Sequence, residues 1–402
     1  MTPIPLANIL QHKLRSVLTS LGIAIGVCML ITLSGLARGT LFEIADRWES
    51  VDADLILMPH GWSGDASTKS GSALESALAD VILRERPDLV KRAAPVFLWH
   101  TEMGGQDQMA AGVSPEDWSL LTGGREIQEG RMFDPDNRFA DWLKHLLTTP
   151  LPAGAPDVDT QFANAPYDGL ELVIDSRLAK AGGYHVGQKV SLAAHEWTIV
   201  GIVPAGGMTR VTMPLRTAQY LAGGIGSFPC TVVFVKLHEG VPIGPAARAI
   251  SDLTGADAVP LSDYRGSLVR QFGMMFVYVD MVNVIAMGIA FLFTMVMLYT
   301  MVLERTREIA ILKANGASST FLIRQVAAEG LLITGMGIVL GISLSLLAAY
   351  LIHIYRPFMT VQITIPWILL SAGLAVLGAL LSSIYPAWRA TRVDIAEALS
   401  VE

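Results

Sequence analysis

The chain has 402 residues, of which 52% are hydrophobic and 16% are charged. Soluble domains carry about 25% charged residues, so this composition excludes an ordinary soluble protein and favours an integral membrane protein. The net charge of −7 also argues against nucleic acid as a partner, because proteins that bind nucleic acid present basic surfaces.

The N-terminal stretch, residues 1–16, is predicted to form a cytoplasmic amphipathic helix. Leucine and isoleucine recur there near helical spacing, and Lys13 and Arg15 lie at its end. Such a helix would lie on the inner membrane surface and lead into the first span. The alternative interpretation is a frayed, basic N-terminus.

Residues 17–37 form an apolar run of about 20 residues, which is long enough to cross a bilayer. The run is longer than the core of a signal peptide and no clear small-x-small cleavage site follows, so a retained span is expected rather than a cleaved signal. Gly22 and Gly26 form a Gly-x-x-x-Gly pattern that lets helices approach closely. We predict that they serve helix packing or a dimer contact, although such patterns also occur in spans by chance.

The interval after this first span and its stalk (17–50) is predicted to be an extracytoplasmic domain, residues 51–262. A strand, a helix and two strands in 51–114 indicate an α/β unit that residues 228–262 complete. Residues 115–227 are predicted to be a β-rich insertion with a hairpin at 186–203. Within the insertion, 142–147 reads as a short helix and 148–167, rich in Pro, Ala and Asp, as an exposed or disordered loop.

Three further spans are predicted. A stalk and second span occupy 263–303, the third span 326–352 and the fourth 366–388, with an outer loop at 353–365 and a tail at 389–402. Residues 40–270 carry 19 basic and 29 acidic residues, whereas eight of the ten remaining basic residues flank the span ends on the opposite side. The positive-inside rule therefore predicts that both termini are cytoplasmic and that the acidic domain is outside.

Two carboxylates lie close to the predicted spans. A carboxylate within a membrane is a functional candidate by default. Asp280 lies at the outer edge of the second span and Glu329 lies just inside the third. Both are interpreted instead as residues that reach the aqueous interface.

The segment between the second and third spans, residues 304–325, is short and charged. Glu304 lies three residues before Arg307 and four before Glu308, and a Glu–Arg pair at such a spacing supports a helix by a few tenths of a kcal/mol. Gly316 is predicted to end this helix, and Ser318 or Ser319 to cap the next one. A short helix along the membrane could dock a soluble partner, whereas most such loops are solvated connectors.

No catalytic constellation is found in the sequence. It contains no Gly-rich pattern ending in Gly-Lys-Ser/Thr, no His-Glu-x-x-His, no Cys-x-x-Cys and no Gly-x-Ser-x-Gly. The eight histidines are scattered, and no metal site is expected. The chain is therefore not expected to be an enzyme, and a membrane-anchored outer enzyme is disfavoured.

Several stretches resemble one known family. Residues 14–26 (LRSVLTSLGIAIG), 304–318 (ERTREIAILKANGAS), and Tyr385-Pro386-Ala387 with Glu397-Ala398-Leu399 resemble the signatures of permease subunits of MacB/FtsX/LolC-type (type VII) ABC transporters. Residues 129–133 (EGRMF), 186–190 (VGQKV) and 198–202 (TIVGI) resemble the MacB-type periplasmic domain.

The resemblance implies an α-helical membrane protein with four transmembrane helices and an α/β + β extracytoplasmic domain between helices 1 and 2. It implies a multi-pass protein in contact with the lipid of the bacterial inner membrane. The chain would assemble as a homodimer or with a related permease subunit. Cytoplasmic ABC ATPase subunits would bind the ATP, so this chain needs no cofactor, and a periplasmic adaptor is a further possible partner. The ATPase-coupling residues carried over are Glu304, Arg305, Arg307, Glu308, Lys313, Gly316, Ala317 and Ser318.

The implied function is export or extraction of hydrophobic or amphiphilic cargo (a drug, peptide, lipid or lipoprotein) by mechanotransmission. The alternative is an FtsX-like subunit that regulates an extracytoplasmic enzyme without transporting cargo. Ala310 stands where the family often has glycine and Asn315 where it usually has an apolar residue, and both are predicted to tune the pairing with the ATPase. Residues 134–169 are longer than the family norm.

Overall fold

The computed structural model describes residues 13–60, 74–104, 106–134, 139, 142, 145, 165, 167–222, 228–356 and 358–392. The chain divides into two compact units. Phe42–Gln271 forms the outer unit, and Met1–Leu41 with Phe272–Glu402 forms the membrane unit. The predicted N-terminal helix before residue 13, most of 134–169 and the tail from residue 393 lie outside the described residues.

Eleven α-helices are described. In chain order they are α1 (Lys13–Glu49), α2 (Ala77–Glu85), α3 (Trp118–Leu121), α4 (Ser176–Gly182), α5 (Leu215–Leu221), α6 (Ile243–Thr254), α7 (Tyr264–Gln271), α8 (Gly273–Glu304), α9 (Thr306–Ala314), α10 (Ser319–Tyr355) and α11 (Ile365–Thr391). Helices α1, α8, α10 and α11 are long and apolar enough to cross a membrane, which confirms the four predicted spans.

Twelve strands are described, all in the outer unit. They are β1 (Leu55–Met58), β2 (Leu74–Glu75), β3 (Val90–Met103), β4 (Gln106–Val113), β5 (Glu129–Gly130), β6 (Glu171–Asp175), β7 (Lys189–Leu192), β8 (His195–Val203), β9 (Val211–Pro214), β10 (Pro229–Cys230), β11 (Val232–Leu237) and β12 (Asp257–Pro260). The α/β domain predicted between the first two spans is therefore present.

Ten of these strands form one sheet in the order β12-β1-β11-β3-β4-β9-β6-β8-β5, with β7 paired to β8 and β3. Helices α2 and α6 cover one end of the sheet, where Ile82 and Ile250 join a core of buried strand residues. The two predicted parts of the domain meet where β4 pairs in parallel with β9. They thus share a continuous sheet, and their division into separate parts stays a prediction.

Local patterns located most strands of the outer unit. The predicted hairpin is the antiparallel pair β7 and β8, closed by Ala193 and Ala194, which both have positive φ. Strand β9 and helix α5 are not predicted from the sequence. For β9 the reason is that all four residues are buried and show no alternation. Before the stretch 148–167 that is expected to be an exposed or disordered loop, Phe139 is fully buried and its ring packs against Trp142 and against Tyr167 at the end of that stretch.

The predicted packing glycines face a helix of the same chain. A Cβ at Gly22 would lie 2.8 Å from the Phe293 ring, and one at Gly26 would lie 3.2 Å from Ala290 Cβ, both on α8. A second pair on α10, Gly337 and Gly341, makes room for α1 in the same way. The packing role of Gly22 and Gly26 thus falls within one chain, and a dimer contact stays a prediction.

Polar contacts occupy the end of the membrane unit where α1 and α8 lie side by side. Asp280 is 57% exposed at its side chain and lies 3.8 Å from Arg38, which fits the interpretation of Asp280 as an interface residue. The Arg38 guanidinium lies 4.3 Å from the centroid of the Trp367 ring. Asn283 donates a hydrogen bond of 2.9 Å to the Ser34 hydroxyl.

An ionic cluster ties the end of α1 to the β-rich half of the outer unit. Glu43 Oε1 accepts hydrogen bonds from Arg47, Arg177 and Arg210 at 2.8, 2.8 and 3.4 Å. Asp175 is 1% exposed, and its Oδ2 lies 4.0 Å from Arg47. Composition gave no signal for this cluster, because its members lie on three separate segments.

Candidate coupling site

The charged segment between α8 and α10 folds as a short helix with defined ends. Helix α8 ends at Glu304, Arg305 is the one residue between it and α9, and α9 ends at Ala314. Gly316 has φ +90°, a conformation that side chains other than hydrogen strongly disfavour. The Ser318 hydroxyl accepts a hydrogen bond of 3.2 Å from the Phe321 N–H and caps α10, as predicted.

The inner face of α9 packs on the membrane unit. Ile309 and Ala310 are buried, and Ile309 joins a small apolar cluster with Val302, Leu322, Val326, Ala387 and Ala390. Ala310 is 0% exposed, so its methyl group faces the interior of its own chain. Any effect of Ala310 on pairing with an ATPase must therefore be indirect.

The outer face of α9 is open to solvent. Arg307 and Glu308 are exposed, and Ile311 beyond them is 47% exposed. Glu304, Gly316 and Ser318 are exposed as well, and Ala317 is half-buried. This surface combines both signs of charge with one apolar side chain, which suits contact with a folded protein.

Asn315 is exposed, but its side chain is used locally. Its Nδ2 donates a hydrogen bond of 2.9 Å to the Ile311 carbonyl in the last turn of α9. The same carbonyl accepts a hydrogen bond of 3.0 Å from the Asn315 backbone N–H, so the side chain adds a second hydrogen bond at this helix end. An apolar residue at this position would keep only the backbone hydrogen bond.

Two of the predicted coupling residues turn inward. Arg305 is 8% exposed and its Nη1 lies 3.2 Å from Oε1 of Glu329, which is 5% exposed. Lys313 Nζ donates a hydrogen bond of 3.1 Å to the Thr391 carbonyl. Glu329 therefore does not simply reach water, as the sequence suggested, but pairs with a cation in the protein.

The partnership of Glu329 with Arg305 could not be located from the sequence. The general signal was present, since a carboxylate inside a span requires a partner. The partner lies 24 residues away across a helix break, a separation that local periodicity does not report. Among the described residues, no group of three or more His, Cys, Asp or Glu side chains could hold a metal ion.

Comparison with known families gives two matches along the chain. Residues 16–253 match the MacB-like periplasmic core domain, and residues 281–395 match the FtsX-like permease C-terminal domain. The macrolide export ATP-binding/permease protein MacB 2 of Aeromonas hydrophila is 24% identical over 408 residues, which cover 98% of this chain and 59% of that protein. The probable syringafactin export ATP-binding/permease protein SyfD of Pseudomonas syringae is 23% identical over 98% of this chain and 57% of its own length.

The chain thus spans about three-fifths of the length of these curated relatives. Two solved structures are similar to it. The periplasmic region of MacB from Actinobacillus actinomycetemcomitans aligns with 56% of this chain and 97% of its own, at 13% identity and a TM-score of 0.36. The extracellular domain of the noncanonic ABC-type transporter YknZ from Gram-positive bacteria aligns with 52% of this chain and 98% of its own, at 15% identity and a TM-score of 0.32.

The two family matches together account for the architecture described above. The first covers the first span and most of the outer unit, and by itself more than half of the chain. The second covers the other three spans and the coupling segment. The chain therefore belongs to the MacB/FtsX-type family of ABC-transporter permeases, which sit in the inner membrane and carry a periplasmic core domain between their first two spans.

Proposed function

We propose that this permease couples ATP hydrolysis by a separate cytoplasmic ATPase to movements of its periplasmic domain, and thereby exports hydrophobic or amphiphilic cargo. The observation that carries the proposal is the solvent-exposed face of α9, with Arg307, Glu308 and Ile311, on a helix whose other face is buried. Because the buried face of α9 packs on the spans, a force that a docked protein exerts on its exposed face can be transmitted to the spans.

The proposal assigns ATP binding to partner subunits. The 402 residues contain no P-loop, which is consistent with that assignment. In this proposal the ATPase subunits dock on α9 from the cytoplasm, and the basic residues at these span ends support that orientation. Both termini then lie in the cytoplasm, two permease chains assemble side by side, and a periplasmic adaptor receives the cargo.

The names of two relatives support the proposed class of cargo. MacB 2 of Aeromonas hydrophila is named for macrolide export and SyfD of Pseudomonas syringae for syringafactin export. Both names refer to export, and this observation favours export over FtsX-like signalling to an extracytoplasmic enzyme. Mechanotransmission suits the spans, since between Ser16 and Ala37 and between Met281 and Leu303 the sequence carries no charged residue that could line a polar path.

The test is ATP hydrolysis in vesicles that contain the chain and its cognate ATPase. The double substitution Arg307→Glu with Glu308→Lys reverses both exposed charges without changing the net charge. We expect the hydrolysis stimulated by the permease to fall by about tenfold, because like charges then face each other across the contact.

The matched control reverses an exposed pair in the outer unit, Lys189→Glu with Glu196→Lys. These side chains are 67% and 73% exposed and 3.0 Å apart. Because one cation and one anion exchange places, the net charge is unchanged. Stimulation should stay at the wild-type level. Equal stimulation by the wild type and the α9 variant would remove the docking role of this helix.

A further inference from the structure

We infer that the buried pair of Arg305 and Glu329 is a positioning element that sets where α9 stands on the third span, α10. The inference rests on the proposed function, because a fixed position matters only if α9 receives a load. The pair is not part of the exposed docking face. The family resemblance counts Arg305 among the coupling residues but gives no role to Glu329 or to the contact between the two.

The geometry places the pair at the hinge of the segment. Arg305 is the one residue between α8 and α9, and its backbone is non-helical with φ −104° and ψ 18°. Such a junction would let α9 swing about its first residue. The side chain of Arg305 instead crosses to Glu329 on α10, at 3.2 Å and with both residues more than nine-tenths buried.

Packing beside the pair is incomplete. A cavity of about 40 Å³ lies between α9 and α10, lined by the pair and by Gln325 among others. The Gln325 Oε1 atom is buried and makes no hydrogen bond within the described part of the chain. A cavity of this size has room for a water molecule, so the apolar packing of Ile309 at this end of α9 leaves a gap beside the pair. The ionic contact adds a directional constraint that this packing lacks.

The other end of α9 is tied to a different span. Lys313 donates to the Thr391 carbonyl at the C-terminal end of α11, where helix carbonyls lack intrahelical partners and the helix dipole favours a cation. Helix α9 is therefore held to α10 by Arg305, the residue just before it, and to α11 by Lys313. A displacement of the exposed face of α9 would then move both α10 and α11.

Positioning can be separated from stability by the choice of substitution. Removing one partner of a buried ion pair leaves an uncompensated charge and strongly destabilises a protein, whereas apolar replacement of both partners is often neutral or stabilising. The double variant Arg305→Met with Glu329→Met should therefore fold and fill the cavity. What it loses is the directional contact that selects one position of α9.

The experiment measures the distance between α9 and α10 and the rate of ATP hydrolysis. Spin labels are attached to cysteines at Ile311 and Leu346, both exposed, in a full chain whose two native cysteines are replaced by alanine. Pulsed electron resonance in lipid nanodiscs gives the distance distribution. Thermal unfolding and stimulated hydrolysis are measured on the unlabelled chain with its cognate ATPase.

We expect the double methionine variant to unfold at or above the wild-type temperature, to show a broader distance distribution, and to lose stimulated hydrolysis by about tenfold. The charge swap Arg305→Glu with Glu329→Arg should restore the narrow distribution. As a matched control, Arg324→Met removes an exposed cation from α10 and should leave the distribution narrow.

A double methionine variant with the wild-type distribution and wild-type stimulation would overturn the inference. The proposed function fails in a different way, namely if the wild-type chain does not bind or stimulate the ATPase. In that case the distance distributions of the isolated chain still decide whether the pair sets the position of α9.

Discussion

At the residue scale, the backbone conformation of Gly316 forms the turn between α9 and α10. Its φ of +90° lies in the region that favours glycine, and no atom lies within 4 Å of the position where a Cβ would stand. Glycine is therefore required at this position by the backbone conformation and not by a lack of space for a side chain. The Ser318 cap follows two residues later and starts α10, so both signals act together.

Replacing Gly316 by alanine should cost about 1–2 kcal/mol of stability, because an L side chain strains this conformation. Asparagine tolerates positive φ better than alanine and should cost less. Thermal unfolding in detergent checks both variants. Equal losses for the two substitutions would show that the left-handed backbone is not the cause.

The second residue that the structure singles out is Asp175, in the cluster around Glu43. Burial raises the pKa of its carboxyl, against the opposing effects of the Leu178 N–H and of Arg47, Arg210 and Arg177. Burial likewise lowers the pKa of Arg210 to about 10. The folded state therefore holds a proton on Asp175 at pH values where the unfolded chain has lost it.

The sign of the pH effect follows. Between the ordinary value of 3.8 and the raised pKa, the folded state binds more protons than the unfolded state, so this group's contribution to stability falls as pH rises. Asp175→Asn keeps an oxygen for the cap of α4 but cannot ionise. The melting temperature of the variant minus that of the wild type should therefore increase as pH rises from about 4. This difference should become constant above the raised pKa.

Thermal unfolding of the full chain in detergent from pH 4 to 8 measures this difference. Arg125→Gln, in the same unit but outside the cluster, serves as a control that should show no comparable pH-dependent gain. A difference that stays constant or shrinks with rising pH would mean that the arginines outweigh the burial of Asp175.

At the element scale, three of the spans, α1, α8 and α10, approach one another closely at glycines. A Cβ at Gly341 on α10 would lie 2.8 Å from the Ala24 carbonyl oxygen and from Val27 Cβ on α1. A contact this short cannot persist, so one of the two helices must move. The corresponding position at Gly373 on α11 has no atom within 4 Å.

The same substitution should therefore have opposite effects at these two sites. Gly341→Ala should destabilise the chain by about 1–3 kcal/mol through overpacking. Gly373→Ala should stabilise it by up to about 1 kcal/mol, because alanine forms helices more readily than glycine. Unfolding in a denaturing detergent compares the two, and destabilisation of similar size at both would contradict the packing described for α1 and α10.

These elements also show what the sequence can and cannot predict. Run length and local chemistry located the four spans, the glycine turn at Gly316 just after α9, and Ser318 as one of two candidate caps of α10. The Gly-x-x-x-Gly pattern found at Gly22 recurs at Gly337 and Gly341, and the same rule could have found it. Local rules could not pair Arg305 with Glu329, or Glu43 with Arg177 134 residues away, because such partners are chosen by tertiary packing.

At the scale of the whole molecule, the proposed mechanism depends on one short helix, α9, which the proposal assigns to the cytoplasmic side. Helix α9 presents Arg307, Glu308 and Ile311 to solvent. Arg305, just before it, and Lys313, within it, contact their own chain. The predicted coupling residues thus divide into those that would contact an ATPase and those that would hold the helix in place. The central claim is that a protein with a P-loop binds the first group.

Site-specific photocrosslinking in living cells tests that claim most directly. A benzophenone amino acid replaces Ile311 on α9 or, as a control, Tyr355 at the far end of α10, which is 76% exposed. Crosslinked partners are identified by mass spectrometry. We predict that Ile311, and not Tyr355, captures an ATP-binding subunit with a P-loop; capture of no such subunit at Ile311, or equal capture at both positions, would contradict the account.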